Sequence, residues 1–344
     1  MKLIKPKIPF NVAKDLYLQA FEVHKRRPWE IFDDTELIGV RDAAGCETGY
    51  ACFMGSGGAM FGIVLYRGAE GFRQYRELVD KGEDPEESDA WALSNCLKLA
   101  LCPRTDLEPE DLLVIRRLGL TIRGKNAWPE FRSHLPGYFP WFLDEREALF
   151  LTAGLRGVCA HYDRVVGQKI VSSIADKQCL VYTPEDDGTG FRCGWEPWPE
   201  YREPSLNPVM PDAALIRSLL TSKPERVGPW EAGVFYLPAP IYDRERPYFT
   251  RLAIVCDERS GVILKFDTAH PEAAVPELLK DGICSAVGEQ KILPPSVFVS
   301  DRKVATALAP LGEALGVAIS YRKNLPAVRA ARQAMTEAML AGQI

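Results

Sequence analysis

The stretch FTRLAIVCDERSGVILKFDT, Phe249–Thr268, decides the fold. Two runs of β-branched and other apolar residues flank Asp257-Glu258-Arg259-Ser260-Gly261, whose composition suits a turn, so the pattern predicts a β-hairpin. GVFYLPAPIY, Gly233–Tyr242, precedes it as a third strand run. Downstream, PEAAVPELLKDGICSAVG has helical spacing, SVFVSD reads as a strand, RKVATALAPLGEALG as a helix, VAISY as a strand and PAVRAARQAMTEAML as a last helix. A meander followed by helices alternating with strands predicts an α/β domain with a mixed sheet, loosely RNase H-like, over residues 229–344.

The first half has a different pattern. A helix over Val12–Lys25 is stopped by Pro28, and ELIGVRD, TGYACFMG and AMFGIVLY then form an antiparallel meander separated by AAGCE and GSGG. A helix over Ala69–Asp80, the charged loop GEDPEE and a second helix over Ser88–Leu101, with Trp91, Leu93, Leu97 and Leu101 as its apolar members, follow. LLVIRRLGLTI suggests another strand. An aromatic-proline strap, WPEFRSHLPGYFPWFLDE, leads into a helix capped by Asp144 that runs to about His161. These features predict an N-terminal α+β domain over residues 1–176. Residues 177–228 are rich in proline and read as a connecting region holding one hairpin, CLVYTP with FRCGWEP, and one short helix, Ala213–Thr221.

With 344 residues the chain exceeds the size at which one hydrophobic core stops growing, in keeping with two domains. A net charge of -5 supplies no general attraction to phosphates, so nucleic acid is not an expected partner, while a protein partner is compatible with the composition. No run of about 18 apolar residues occurs, which argues against a membrane span. Nine scattered cysteines without a C-x-x-C pair, and four histidines far apart, predict reduced buried thiols and no zinc site. Cytoplasmic location is the resulting expectation.

Few motifs carry chemistry. GSGG, Gly55–Gly58, lacks the lysine of a P-loop and the spacing of a dinucleotide fingerprint, and its flanking strands predict a hairpin turn. Trp128, Tyr138 and Trp141 of the strap could line a ligand groove, although only Arg132 and His134 lie among its aromatics and packing onto the core accounts for them better. Catalysis has one candidate set. Asp257 and Asp301, each at the end of a strand, with Glu277 on the intervening helix, would resemble the carboxylates that hold Mg or Mn for phosphodiester hydrolysis. Glu337 follows Asp301 with 35 residues between them but falls about 16 Å too far along its helix. Against the set, Asp257 suits a turn and Asp301 suits a helix cap. Outside that alternative no cofactor is called for, and whether the chain is an enzyme stays open. Arg322, Lys323, Arg329 and Arg332 cluster near the end, as a solvated face or an anion patch.

Pro-Trp-Glu occurs at Pro28–Glu30 and again at Pro229–Glu231. Trp29 lies 13 residues before Asp42 and Trp230 lies 27 before Asp257, so the repeat predicts a buried tryptophan at each domain entrance rather than a duplication.

Taken in order, PWE, VRDAAGCETGYACFMG, the strap, RPYFTRLAIVCDERSG and PPSVFVSDRKVATALAPLGEALGVAI resemble a family of bacterial proteins built from two adjacent domains of unknown function. Some similar proteins carry a small zinc-binding tail. The resemblance implies a two-domain bacterial cytoplasmic protein and no activity; with no identifiable catalytic constellation in its residues, the chain reads as a binding or accessory module.

Overall fold

The computed structural model describes residues 7–42, 45–81, 89–168, 174–175, 177–185, 190–242 and 245–340. The charged loop GEDPEE lies outside them. Helix α1 (Phe10–Arg26) leads to β1 (Leu37–Arg41), β2 (Thr48–Met54) and β3 (Phe61–Arg67), the expected meander. GSGG is the turn between β2 and β3, with Gly55 and Gly58 both at positive φ and the Gly58 N–H donating to the Gly55 carbonyl. Helix α2 (Gly68–Lys81) and the short α3 (Ala90–Leu93) precede β4 (Cys96–Cys102).

Strand β4 corrects the helix expected over Ser88–Leu101. Leu97 and Leu101 fit a helical period, but Leu97, Leu99 and Leu101 also alternate with Lys98 and Ala100, and the tertiary structure selects period two, burying all three leucines in one core. The reverse error occurs next. LLVIRRLGLTI forms α4 (Pro109–Arg117), started by Pro109 in the first turn and a reciprocal cap between Glu108 and Asp111. The strap begins as an ordinary strand, β5 (Trp128–His134), paired with β4. Helix α5 (Glu145–Gln168) starts as expected, with the Asp144 carboxylate accepting the Glu147 N–H at 2.8 Å.

Segment 177–228 is divided. Its hairpin, β7 (Gln178–Pro184) with β8 (Phe191–Pro197), joins the first sheet by parallel pairing of β7 with β1, and the two-residue β6 (Ile174–Ala175) flanks it. That sheet has eight strands in the order β5-β4-β3-β2-β1-β7-β6, with β8 also paired to β7. Helices α1 and α5 cover one face and α2 the other. Residues 198–212 are irregular, and α6 (Ala213–Thr221) closes the connection.

The second sheet has five strands. β9 (Trp230–Ile241), β10 (Tyr248–Asp257) and β11 (Ile263–Ala269) form the antiparallel meander predicted from Phe249–Thr268. Helix α7 (Val275–Gln290) crosses to β12 (Ser296–Val299), which pairs parallel with β9. Helices α8 (Arg302–Ala307) and α9 (Ala309–Leu315) lead to β13 (Ala318–Tyr321), parallel to β12, and α10 (Pro326–Leu340) ends the described chain. The order β11-β10-β9-β12-β13, three antiparallel strands and two parallel additions, has the connectivity of an RNase H-like sheet. Cores lie on both faces, one under α6–α9 and one under α10.

The strap joins the two lobes. The Phe249 N–H donates to the Gly137 carbonyl at 2.8 Å and the Phe139 N–H to the Pro247 carbonyl at 2.9 Å. Gly137 sits at φ 82°, and a Cβ there would stand 2.4 Å from Pro271, so only glycine lets the strap lie this close. Asp89 crosses in the same region, accepting the Tyr236 N–H and pairing with Arg332 of α10 at 2.8 Å.

Both Pro-Trp-Glu tryptophans are buried, Trp29 at 6% and Trp230 at 1% exposure. Their settings differ, since Pro28–Glu30 is a single 3₁₀ turn whereas Trp230 opens β9. Trp230→Ala is expected to lower the unfolding free energy by about 3–5 kcal/mol in chemical denaturation. A loss below about 1 kcal/mol would mean that α7 does not depend on this residue.

Candidate functional site

The carboxylates expected to converge do not. Because β10 runs antiparallel to β9, its last residue, Asp257, pairs with Trp230 at the start of β9. Val297 of β12 pairs with the same Trp230, and Asp301 lies four residues further on, about 13 Å along the strand direction. Asp257 and Asp301 therefore sit at opposite ends of the sheet. Asp257 accepts from the Ser260 N–H and hydroxyl, both at 2.7 Å. Burial raises its pKa, but these bonds outweigh that and hold it below the ordinary aspartate range. Asp301 caps α8 through the N–H groups of Lys303 and Val304. Glu277 is half exposed and pairs with Lys280 at 2.6 Å. Among the described residues no group of three or more His, Cys, Asp or Glu is arranged to hold a metal.

The strap aromatics also diverge. Trp128 pairs with Cys102 at the far end of β5, whereas buried Trp141 bridges Ser133, five residues or about 17 Å away. Tyr138 crosses the lobe junction, donating its hydroxyl to Glu272 at 2.7 Å. Arg132 is buried in a two-pronged ion pair with Asp111, at 3.0 and 2.8 Å. Burial pushes His134 and His161 down to about 4, so both are neutral near pH 7, and His161 has 1% exposure with Nδ1 2.9 Å from the Tyr182 hydroxyl. The basic cluster is partly spent on structure. Arg322 pairs with Glu258 and lies 3.4 Å from the Phe298 ring centroid, while Arg332 holds Asp89.

Two features were not anticipated. The first is a cleft of about 520 Å³ where β12 stops at Val299 and β9 runs on beside it. Ala232 and Val234 form its floor, and Arg251, Glu272, Ser300 and Asp301 its polar rim. Arg251 is held in place, with Nε 3.0 Å from the Tyr236 hydroxyl and Nη1 2.5 Å from the Ala273 carbonyl. Glu272 is fixed by Tyr138 of the other lobe, and Leu206 of the connecting segment lines the opening. The cleft opens at the carboxyl end of β12, beside the stretch of β9 that follows its pairing with β12 at Trp230 and Glu231. The cleft's signal in the sequence was the run FVSD ending at Asp301, but its opposite wall comes from residues 25 or more positions away in the chain, at 271–275.

The second feature is Glu231, the glutamate of the second Pro-Trp-Glu. It has 0% exposure. Its Oε2 accepts the N–H groups of Ala327 and Val328 at the start of α10, at 2.8 and 3.1 Å, and Oε1 has no hydrogen-bond partner among the described residues, lying 3.8 Å from Arg322 Nη1. Burial raises the carboxyl pKa above its ordinary 4.5, opposed by the two N–H donors. Adjacent residues of a strand face opposite sides, so Trp230 anchors the α7 layer while Glu231 anchors α10.

A raised pKa means that the folded chain keeps this proton to higher pH than the unfolded one. The stabilisation is complete below about 4.5 and is lost as pH rises through the folded value. Glu231→Gln cannot titrate. The unfolding free energy of the wild type relative to Glu231→Gln should therefore fall as pH rises above about 4.5, and parallel pH curves would refute the assignment.

Among the described residues no helix is long and apolar enough to cross a membrane. No curated protein matches the chain. Residues 14–182 match the family described as Domain of unknown function (DUF7309), and residues 215–336 match Domain of unknown function (DUF6930). The first match ends within β7 and the second spans α6 to α10, so the two matches follow the two sheets. The chain thus consists of two adjacent family domains of unknown function, DUF7309 followed by DUF6930.

Proposed function

We propose that the chain is a binding module whose ligand is a small molecule held in the cleft beside β9 and β12. The observation that supports this most is the cleft itself, about 520 Å³, within the volume range of small-molecule sites, an open groove with a narrow apolar floor and a largely polar lining. Arg251 and Glu272 are oriented before any ligand arrives, which lowers the ordering cost of binding. The hydrolase reading loses its support because Asp257 lies at the far end of the sheet and Glu277 is engaged by Lys280. A cytoplasmic setting belongs to the proposal, in keeping with nine free cysteines.

The test is a thermal-shift screen of small metabolites on the wild type and on Ser300→Trp, which places an indole in the cleft. A ligand present at 100 times its Kd should stabilise the wild type by about 2.7 kcal/mol and leave Ser300→Trp unshifted. An equal shift in both proteins would place the site elsewhere. Mg- or Mn-dependent cleavage of a nucleic acid, abolished by Asp301→Asn, would return the chain to the hydrolases.

A further inference from the structure

Strand β11 forms one edge of the second sheet. Edge strands present unpaired N–H and C=O groups, and proteins commonly keep them short, charged or covered. The opposite edge, β13, is four residues long, and in the first sheet β5 is bridged by Trp141. β11 has seven residues and is apolar on one face. A register shift between Val255 and Cys256 sets Ile263 opposite Cys256 and Phe266 opposite Ile254. Cys256 and Ile254 both face the α10 side, so Ile263 and Phe266 share that face. Both are uncovered there, Ile263 at 37% and Phe266 at 54% exposure, and Val262 beside them is at 55%.

We propose that β11 pairs antiparallel with the β11 of a second copy of this chain, about a two-fold axis at Phe266. The charges argue for a self-complementary partner. On the opposite face of the strand, Lys265 and Asp267 flank Phe266. Centring the pair on Phe266 sets Lys265 of each copy opposite Asp267 of the other, two ion pairs produced by one sequence meeting itself. The same register brings the two Phe266 rings together across the axis. Asp267 forms no ion pair among the described residues, while Lys265 already lies 2.7 Å from Glu289, which holds its ammonium on that face. The added strand would extend the five-stranded sheet into a continuous ten-stranded one.

Sedimentation equilibrium over a hundredfold range of concentration tests the pairing with charge variants. K265E puts a carboxylate opposite the carboxylate of Asp267, and D267K puts an ammonium opposite the ammonium of Lys265. Each variant alone should therefore self-associate roughly tenfold or more weakly than the wild type. Mixed in equal amounts, the two variants meet with opposite charges at both positions, and the heterodimer should return to wild-type strength. Circular dichroism and thermal unfolding confirm that each variant is folded. A wild type that stays monomeric throughout, single variants that associate like the wild type, or a mixture no stronger than its parts would each overturn the proposal.

Discussion

Glu231 puts a carboxylate with no exposed surface under the first turn of α10. A buried charge is costly unless its oxygens are satisfied, and a helix start offers N–H groups with no partner of their own. Oε2 meets the need of two such N–H groups while Oε1 stays without a hydrogen bond among the described residues, so α10 is fixed over β9 by a carboxyl group that burial biases toward its protonated form. Trp230, one residue earlier and on the other face, packs into the core beneath α7. Two adjacent side chains thus set where both helical layers of the lobe lie, and the remaining strands build outward from the one that carries them.

The same alternation explains what was legible in the sequence. The C-terminal elements are visible because strands and helices alternate and each carries its own period, although the single helix expected over RKVATALAPLGEALG divides at Leu308 into α8 and α9. Position in the sheet is not visible in any one segment. Asp257 ends a strand, as expected, but β10 runs against β9 and its end lies at the start of that neighbour. A carboxylate at a strand end says nothing about which end of the sheet it occupies until pairing directions are known. The cleft was hidden for the same reason, since its floor, rim and mouth come from β9, the loop before α7, the end of β12 and Leu206.

In the N-terminal lobe the difficulty was local. Leucines at 97 and 101 satisfy two periods, and pairing with β3 and β5 selects the strand. In LLVIRRLGLTI the apolar run suits a strand, whereas the preceding Glu-Pro-Glu-Asp carries the capping pattern that starts a helix. Pro129 lies inside β5, opposite Leu101. An edge strand tolerates a proline because one row of its N–H groups needs no ladder partner.

The strap connects these observations to the site. Its aromatics look like a binding surface in sequence, yet Trp141 is buried and Tyr138 reaches across the lobe junction to Glu272, a wall of the cleft in the second domain. Gly137 lies against Pro271 in the same wall. The first lobe therefore touches the cleft through its frame, without lining it. The strap's hydrogen bonds to Pro247 and Phe249 brace the start of β10 as well, so the first lobe fixes both the wall at 271–275 and the strand that carries Arg251, and the frame of the second lobe's cleft is completed by contacts from the first.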